Sequence, residues 1–355
     1  MKKFILKSSL FVIPFFILYV LNLVLYAQGE GDLTRVGFIY NNPSPKSTII
    51  NQFDFEINYK KLSELDLDTT SVFQFDVLTI GDSFSNQGFY GYVNLLANDD
   101  KAVLNFDKFL TQDNPIQKLI ELANGNFFER IKTKYIILET VERMFYKRCE
   151  KLNFSKSISI NMLNARIDSY EPRKPAKRDM KFFSNTTLKM PLTNIQYLYT
   201  RNPPNSLTYK VKTKTIDLFS GSTNNLLFTK HDITFKEKYN HDLNVMIQCN
   251  SQLNELSRLL KEIGIELILL ICPDKYDLYY PHIKNKAGLM KPFFFKNYRK
   301  LNREYLYVNS MQILSDELKK SKDVYFYDDT HWSPVGAKAV TYGIQQLIES
   351  NSSNN

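Results

Sequence analysis

A chain of 355 residues and 41.6 kDa can bury a large core, which excludes a disulfide-stapled mini-domain and a disordered polymer. Three scattered cysteines (Cys149, Cys249 and Cys272) form no CxxC and no zinc-ribbon spacing, which argues against a cysteine-based metal site. The formal charge is +9, and the four histidines, His231, His241, His282 and His331, make histidine chemistry easy to enumerate.

Residues 10–27 form an apolar run whose only strongly polar member is Asn22. As a helix the run would span about 27 Å, close to a bilayer core of about 30 Å. Lys2, Lys3 and Lys7 precede it, while Glu30 and Asp32 follow. The positive-inside rule therefore leaves the N-terminus in the cytoplasm and sends the rest outside. Two readings fit residues 1–30. One is an uncleaved signal anchor, favoured by the length of the run and by Leu25 and Tyr26 before Ala27. The other is a cleavable signal peptide. Either way the body of the protein is exported.

Without the three lysines and one glutamate of residues 1–30, the charge excess falls to +7. It is spread out, apart from a cluster at Arg173, Lys174, Lys177, Arg178 and Lys181. That cluster reads as a solvated loop or as a contact surface for anionic polysaccharide or lipid headgroups. No segment resembles an RNA- or DNA-binding motif. In an exported protein Cys149 and Cys249 could pair, whereas Cys272 lies in an apolar run and reads as a buried thiol.

Residues 31–73 read as a polar stalk and lead-in, with a turn at Asn41-Asn42-Pro43-Ser44-Pro45. Strand–helix alternation follows over residues 74–350. Strands are expected at 77–80, 103–105 and 135–138, with a helical stretch over 115–130. An insertion at 151–238, rich in Asn, Lys and Thr, contains an expected hairpin, 207–219 and 226–235, around Ser220-Gly221-Ser222-Thr223-Asn224. A helix over 242–263 is marked by Leu253, Leu256, Leu259, Leu260 and Ile263, with Gly264 as its stop. Residues 265–271 form the clearest buried strand. A helix at 310–320, a strand at 324–327 and a last helix at 334–349, with proline in its first turn, complete the pattern. Residues 351–355 are a polar tail. Short apolar strands alternating with helices imply a parallel α/β sheet, with the β-rich insertion decorating one end.

In such a sheet the active site lies beyond the carboxyl ends of the strands. Four expected strand ends stand out: Gly81-Asp82-Ser83, Glu139 to Arg143, Pro273-Asp274-Lys275 and Asp329-Thr330-His331-Trp332. Ser83, between a strand and a helix, would present its hydroxyl where free N–H groups can stabilise an oxyanion. A serine needs a base, and His331 is placed to serve, with Asp329 two residues earlier to orient it. His231 falls in the hairpin, and His241 at a helix start. His282, in a loop, is the one competitor. Asp82 reads as a structural hydrogen-bonder.

Gly-Asp-Ser with a late Asp-x-His resembles the SGNH (GDSL-type) hydrolase superfamily. The longer string Asp329-Thr330-His331-Trp332-Ser333-Pro334-x-Gly336-Ala337 resembles its AlgX/AlgJ-like branch, the alginate O-acetyltransferase-like proteins of bacterial exopolysaccharide modification. The Pro273-Asp274-Lys275 and Glu139-x-x-Glu142-Arg143 segments resemble that branch as well. The likeness covers about residues 74–150 and 240–350. It implies a flavodoxin-like three-layer α/β/α fold, with Ser83 as nucleophile, His331 as base and Asp329 as orienting acid.

The alginate proteins place the DxHW segment before the serine, whereas here it comes last, as in ordinary SGNH esterases. The usual SGNH glycine and asparagine oxyanion blocks are missing, which leaves Asn105 and Arg143 as substitutes. Arg143 reads equally as an ion-pair partner of Glu139 or Glu142, and Lys275 is divided between structure and substrate binding. Trp332, the only tryptophan, is either a core aromatic or a face for stacking on sugar, an idea that extends to Tyr276, Tyr279 and Tyr280.

The expected function is extracytoplasmic O-acyl transfer, most simply of acetyl, to a cell-surface or secreted polysaccharide through an acyl-Ser83 ester. By resemblance, the protein sits in a bacterial cell envelope, held in the inner membrane with its body in the periplasm. A multi-pass membrane O-acyltransferase would supply the acyl group. The chemistry calls for no metal and no cofactor. The alternatives are a carbohydrate esterase using the same triad and a non-catalytic glycan-binding component of a polysaccharide export complex.

Overall fold

A computed structural model describes residues 2–25, 31–40, 44–53, 55–67, 70–99, 101–172, 185–234 and 243–353. Helix Lys2–Leu25 contains Pro14, and its Lys2–Val20 portion is long and apolar enough to cross a membrane, with none of it buried against the protein. The end of the expected span, residues 26 and 27, lies outside the described residues, as do the basic cluster at 173–181 and His241.

Six strands form the main sheet: β1 (Lys60–Lys61), β2 (Phe73–Ile80), β3 (Val103–Asn105), β4 (Ile131–Val141), β7 (Glu266–Cys272) and β8 (Leu306–Val308). Their order is β1-β3-β2-β4-β7-β8, and every pairing is parallel. Apart from β1 at the edge, this is the flavodoxin-like order. β7, Glu-Leu-Ile-Leu-Leu-Ile-Cys, is buried from its second residue onward, the unbroken apolar run required of a strand covered on both faces.

Alternate residues of the strands serve opposite layers. Val77, Ile137, Ile268 and Leu270 pack with helices Tyr92–Ala97, Ser310–Glu317 and Pro334–Ser353. Leu78, Ile136, Leu138, Leu267 and Leu269 pack with helices Pro115–Ala123, Glu142–Cys149 and Leu243–Lys261. The result is a three-layer α/β/α sandwich. Gly264, at φ +77°, takes the left-handed conformation just beyond Leu243–Lys261, as a helix stop requires. The helical stretch expected over 115–130 is instead broken into Pro115–Ala123 and Phe127–Arg130.

Within the insertion, β5 (Thr208–Lys212) and β6 (Asn225–Thr229) pair antiparallel, and helices Ile160–Asp168 and Asn185–Gln196 precede them. The hairpin strands are shorter than expected and their connection longer.

Two departures from the sequence reading affect the site. The strand expected at 324–327 does not join the sheet, because β8 takes the place beside β7. Residues 324–333 instead fold back on themselves through a single Tyr325–Trp332 bridge. Residues 31–40 and 44–53, read as part of a stalk, pack on the body. Leu33 is fully buried, Ile39 and Ile49 nearly so, and the backbone N–H of Leu33 donates to the Asp328 carbonyl (2.9 Å).

Candidate active site

The turn that carries Ser83 begins where β2 ends, at Ile80. Beneath it lies the buried side chain of Glu139 from β4. Its Oε2 accepts from the Asp82 N–H (2.8 Å), the Ser85 N–H (3.2 Å) and the Ser85 hydroxyl (3.0 Å). Burial, reinforced by the neighbouring Asp82 charge, pushes the Glu139 carboxyl well above the usual range.

Asp82 behaves as the structural hydrogen-bonder that the sequence suggests. It accepts from the Arg148 guanidinium (2.8 Å) and the Val141 N–H (3.1 Å). Burial works against its ionisation, but the Arg148 charge, with hydrogen bonds from Glu139, Arg148 and the Val141 N–H, outweighs burial and holds Asp82 below the usual carboxylate range. Ser83 itself has φ −72° and ψ −22° and opens the short 3-10 turn Phe84–Asn86.

The loop that carries Asp329 and His331 is closed by the Ser333 N–H on the Val324 carbonyl (3.0 Å) and the Phe326 N–H on the His331 carbonyl (3.2 Å). Lys275, fully buried, donates to the carbonyls of Phe326 (2.6 Å), Tyr327 (2.7 Å) and Asp329 (3.2 Å). Three acceptors match the three protons of an ammonium. These bonds occupy carbonyls that a sheet strand at 324–327 would need. Burial pulls the Lys275 pKa down to about 7. Asp328, also buried, accepts from the Gly31 N–H (3.1 Å), and burial with the Asp329 charge pushes its pKa up to about 6.

The two pieces meet at the serine. The Ser83 hydroxyl lies 2.7 Å from His331 Nε2, and His331 Nδ1 lies 2.6 Å from Asp329 Oδ1. With Nδ1–H donating to Asp329, Nε2 is left to accept from Ser83. The Phe84 ring packs against the imidazole, with centroids 4.7 Å apart. Burial would raise the Asp329 pKa, but the hydrogen bond and charge of His331, together with the Lys46 ammonium 2.9 Å from Oδ2, hold it far below the usual range.

The remaining sequence candidates lie elsewhere. Asn105 is buried, donates to the Ser85 carbonyl (3.1 Å) and accepts from the Thr79 hydroxyl (2.8 Å), so its amide braces the serine turn. Arg143 pairs with Asp274 (2.9 Å) and Asp232 (3.6 Å), not with Glu139 or Glu142. Lys275 resolves to the structural side, because its ammonium is spent on the loop. Trp332 is fully buried against Phe84, Tyr92 and Tyr325, so it presents no face to a sugar. Tyr276 and Tyr279 are buried too. His282 lies at the hairpin edge, where its carbonyl accepts from the Lys214 N–H, and His231 is exposed. Cys149 and Cys249 are neighbouring free thiols; burial pushes the Cys149 thiol up.

Among the described residues, two clusters bring potential metal ligands together: Asp32 with Asp329 and His331, and Glu142 with Asp274 and Asp277. In the first, both imidazole nitrogens are already committed to Ser83 and Asp329. In the second, Asp274 pairs with Arg143, and Glu142 accepts from the Asp274 N–H (3.0 Å). Lys46 was not among the sequence candidates. It stands in a Pro-rich stretch without periodicity, and only its place just inside a helix start sets it apart.

Fold and site together define an SGNH-like α/β domain. Residues 224–354 match the family model described as "SGNH hydrolase-like domain, acetyltransferase AlgX". That part of the chain is thus similar to the AlgX-type SGNH domain, in agreement with the resemblance seen in its motifs. The match includes Lys275, Asp329, His331 and Trp332 and does not reach Ser83, Asn105 or Arg143. It supports an acetyltransferase- or esterase-type role. Neither the curated proteins nor the solved structures contain a match to the chain.

Proposed function

We propose that the protein is an exported, membrane-anchored O-acyltransferase that moves acetyl groups onto a polysaccharide through Ser83. The observation that carries this reading is the unbroken line from the Ser83 hydroxyl through His331 to Asp329, with both links at hydrogen-bond length. Ser83 Oγ attacks the donor's acyl carbon as its proton passes to His331 Nε2. Asp329 stabilises the imidazolium. Among the described residues the Ser83 N–H has no acceptor, which suits it to hold the developing oxyanion. The leaving group departs with the proton from His331, and acyl-Ser83 remains. A sugar hydroxyl then attacks, its proton taken by His331. Collapse of this second intermediate releases the sugar ester and returns the proton to Ser83 Oγ.

The apolar N-terminal helix supports anchoring, and its positive-inside charge pattern supports an extracytoplasmic site. A multi-pass membrane O-acyltransferase is the proposed donor partner. Two adjoining cavities of about 550 and 500 Å³, which share Leu198, Lys210 and Asn225, support a polymeric acceptor. Their charged lining is cationic, from Arg201, Lys210, Lys212 and Lys284, and one of them reaches Tyr327, two residues before Asp329.

The test is incubation of the full chain in detergent with an acetyl ester, with and without oligosaccharides. Mass spectrometry would follow acetyl-Ser83 and acetylated sugar. Both should form. Acetate release with acetyl-Ser83 but no sugar ester would make the protein an esterase. No acetyl-Ser83 and no turnover would leave only a glycan-binding role.

A further inference from the structure

A carboxylate that orients a catalytic imidazole has two oxygens, and the relay uses one of them. Asp329 Oδ1 accepts from His331 Nδ1 (2.6 Å) and from the His331 backbone N–H (3.2 Å). The other, Oδ2, meets Lys46 Nζ at 2.9 Å across 283 residues of sequence. The Asp329 side chain is only 4% exposed, so Oδ2 has little access to water. Were Lys46 absent, only His331 would hold the carboxylate, through Oδ1, and Oδ2 would be left buried without a partner, so the tilt of the carboxylate against the imidazole would be fixed from one side alone.

Lys46 is itself held in place. Its ammonium lies 4.9 Å from the centroid of the Phe326 ring and beside the Tyr90 hydroxyl. Burial lowers its pKa, yet the Asp329 carboxylate and Tyr90 together outweigh burial, so the net shift is upward and the group is an ammonium at neutral pH. The segment that delivers it is fastened on both sides. The Gly31 N–H donates to Asp328 Oδ2, and a Cβ on Gly31 would collide with the Asp328 carbonyl. The Thr208 hydroxyl donates to the Leu33 carbonyl (2.8 Å), and the Ser44 hydroxyl to Asp323 (3.4 Å).

We propose that Lys46 is a positioning residue of the relay. Its ammonium fixes Asp329 Oδ2 so that Oδ1 stays on the His331 ring, which makes the segment after the apolar helix a working part of the active site. The inference rests on the reading of Ser83, His331 and Asp329 as a catalytic relay.

The test uses the full chain in detergent, turning over an acetyl ester, with thermal unfolding measured alongside. Ser83→Ala serves as the control for the relay. Lys46→Met should lower kcat about 10- to 100-fold, the cost of a loosened catalytic group, with KM within about two-fold of the parent. Lys46→Arg, which keeps a cation within reach of Oδ2, should recover most of the loss. In an Asp329→Asn background, Lys46→Met should have almost no further effect, because its route of action is already cut. If Lys46→Met does not fold, Lys46→Gln carries the same comparisons.

Should Ser83→Ala abolish turnover while Lys46→Met matches the parent, the positioning role is wrong and the relay stands. A loss that Lys46→Arg does not recover, or that adds in full to Asp329→Asn, also overturns it. Retained turnover in Ser83→Ala would instead remove the relay on which the inference rests.

Discussion

The turn that carries Ser83 hangs from buried carboxylates, whereas the loop that carries Asp329 and His331 hangs from lysines. On the serine side, the Glu139 carboxyl and the Asp82 carboxylate gather backbone N–H groups, and Arg148 balances the Asp82 charge. On the other side, Lys275 gathers backbone carbonyls and Lys46 meets the Asp329 carboxylate. The difference follows from position. A turn leaving the carboxyl end of a parallel strand exposes N–H groups, and carboxyl oxygens satisfy them. A loop folded back without sheet partners exposes carbonyls, and a cation serves those. Two local needs of opposite sign thus converge on one hydrogen-bonded line.

The largest expected effect falls where the halves meet. Ser83→Ala should reduce acyl-ester turnover about 10³- to 10⁴-fold without lowering the melting temperature, as steady-state kinetics beside a thermal scan would register. Next comes the carboxylate side. Asp82→Asn leaves the Arg148 charge buried without its partner and should cost about 3–5 kcal/mol in a urea titration. An unchanged midpoint would mean that the serine turn does not depend on its anions.

The lysine side has a pH signature. The Asp328 pKa is raised to about 6, above its unfolded value, so its contribution to stability is complete below about pH 4 and is lost as pH rises through 6. Asp328→Asn removes that dependence. The stability difference, parent minus variant, should therefore fall by about 1–3 kcal/mol between pH 4 and pH 7. A flat difference would break the contrast between the two halves. The smallest effect is expected at Trp332. Trp332→Phe should cost about 1–2 kcal/mol through lost packing and leave the acceptor KM unchanged. A raised KM would return that ring to the sugar site.

Much of this was readable from the sequence. β2, β4 and β7 announce themselves as apolar runs, and Gly81-Asp82-Ser83 and Asp329-x-His331 stand out because histidine is scarce. β8 was not legible, since it has three residues and only Val308 is buried. The apolar stretch 324–327 imitates a strand, but its burial comes from packing around Lys275 and Phe219, as the Phe219–Tyr327 ring contact shows. Lys46 could not be found at all. Its partner lies 283 residues away, and no local periodicity marks a lysine that folds back across such a distance.

The docking of Gly31 on Asp328 also acts as a leash. Five residues, 26–30, separate Leu25 at the end of the apolar helix from Gly31 on the catalytic loop. Fully extended, that interval covers about 20 Å. With Lys2–Leu25 across a bilayer, the relay could work only in a thin shell of space above the lipid. Under the proposed function, a long polymer acceptor would be modified strand by strand as it passed through that shell, and chains already clear of the membrane would be out of reach.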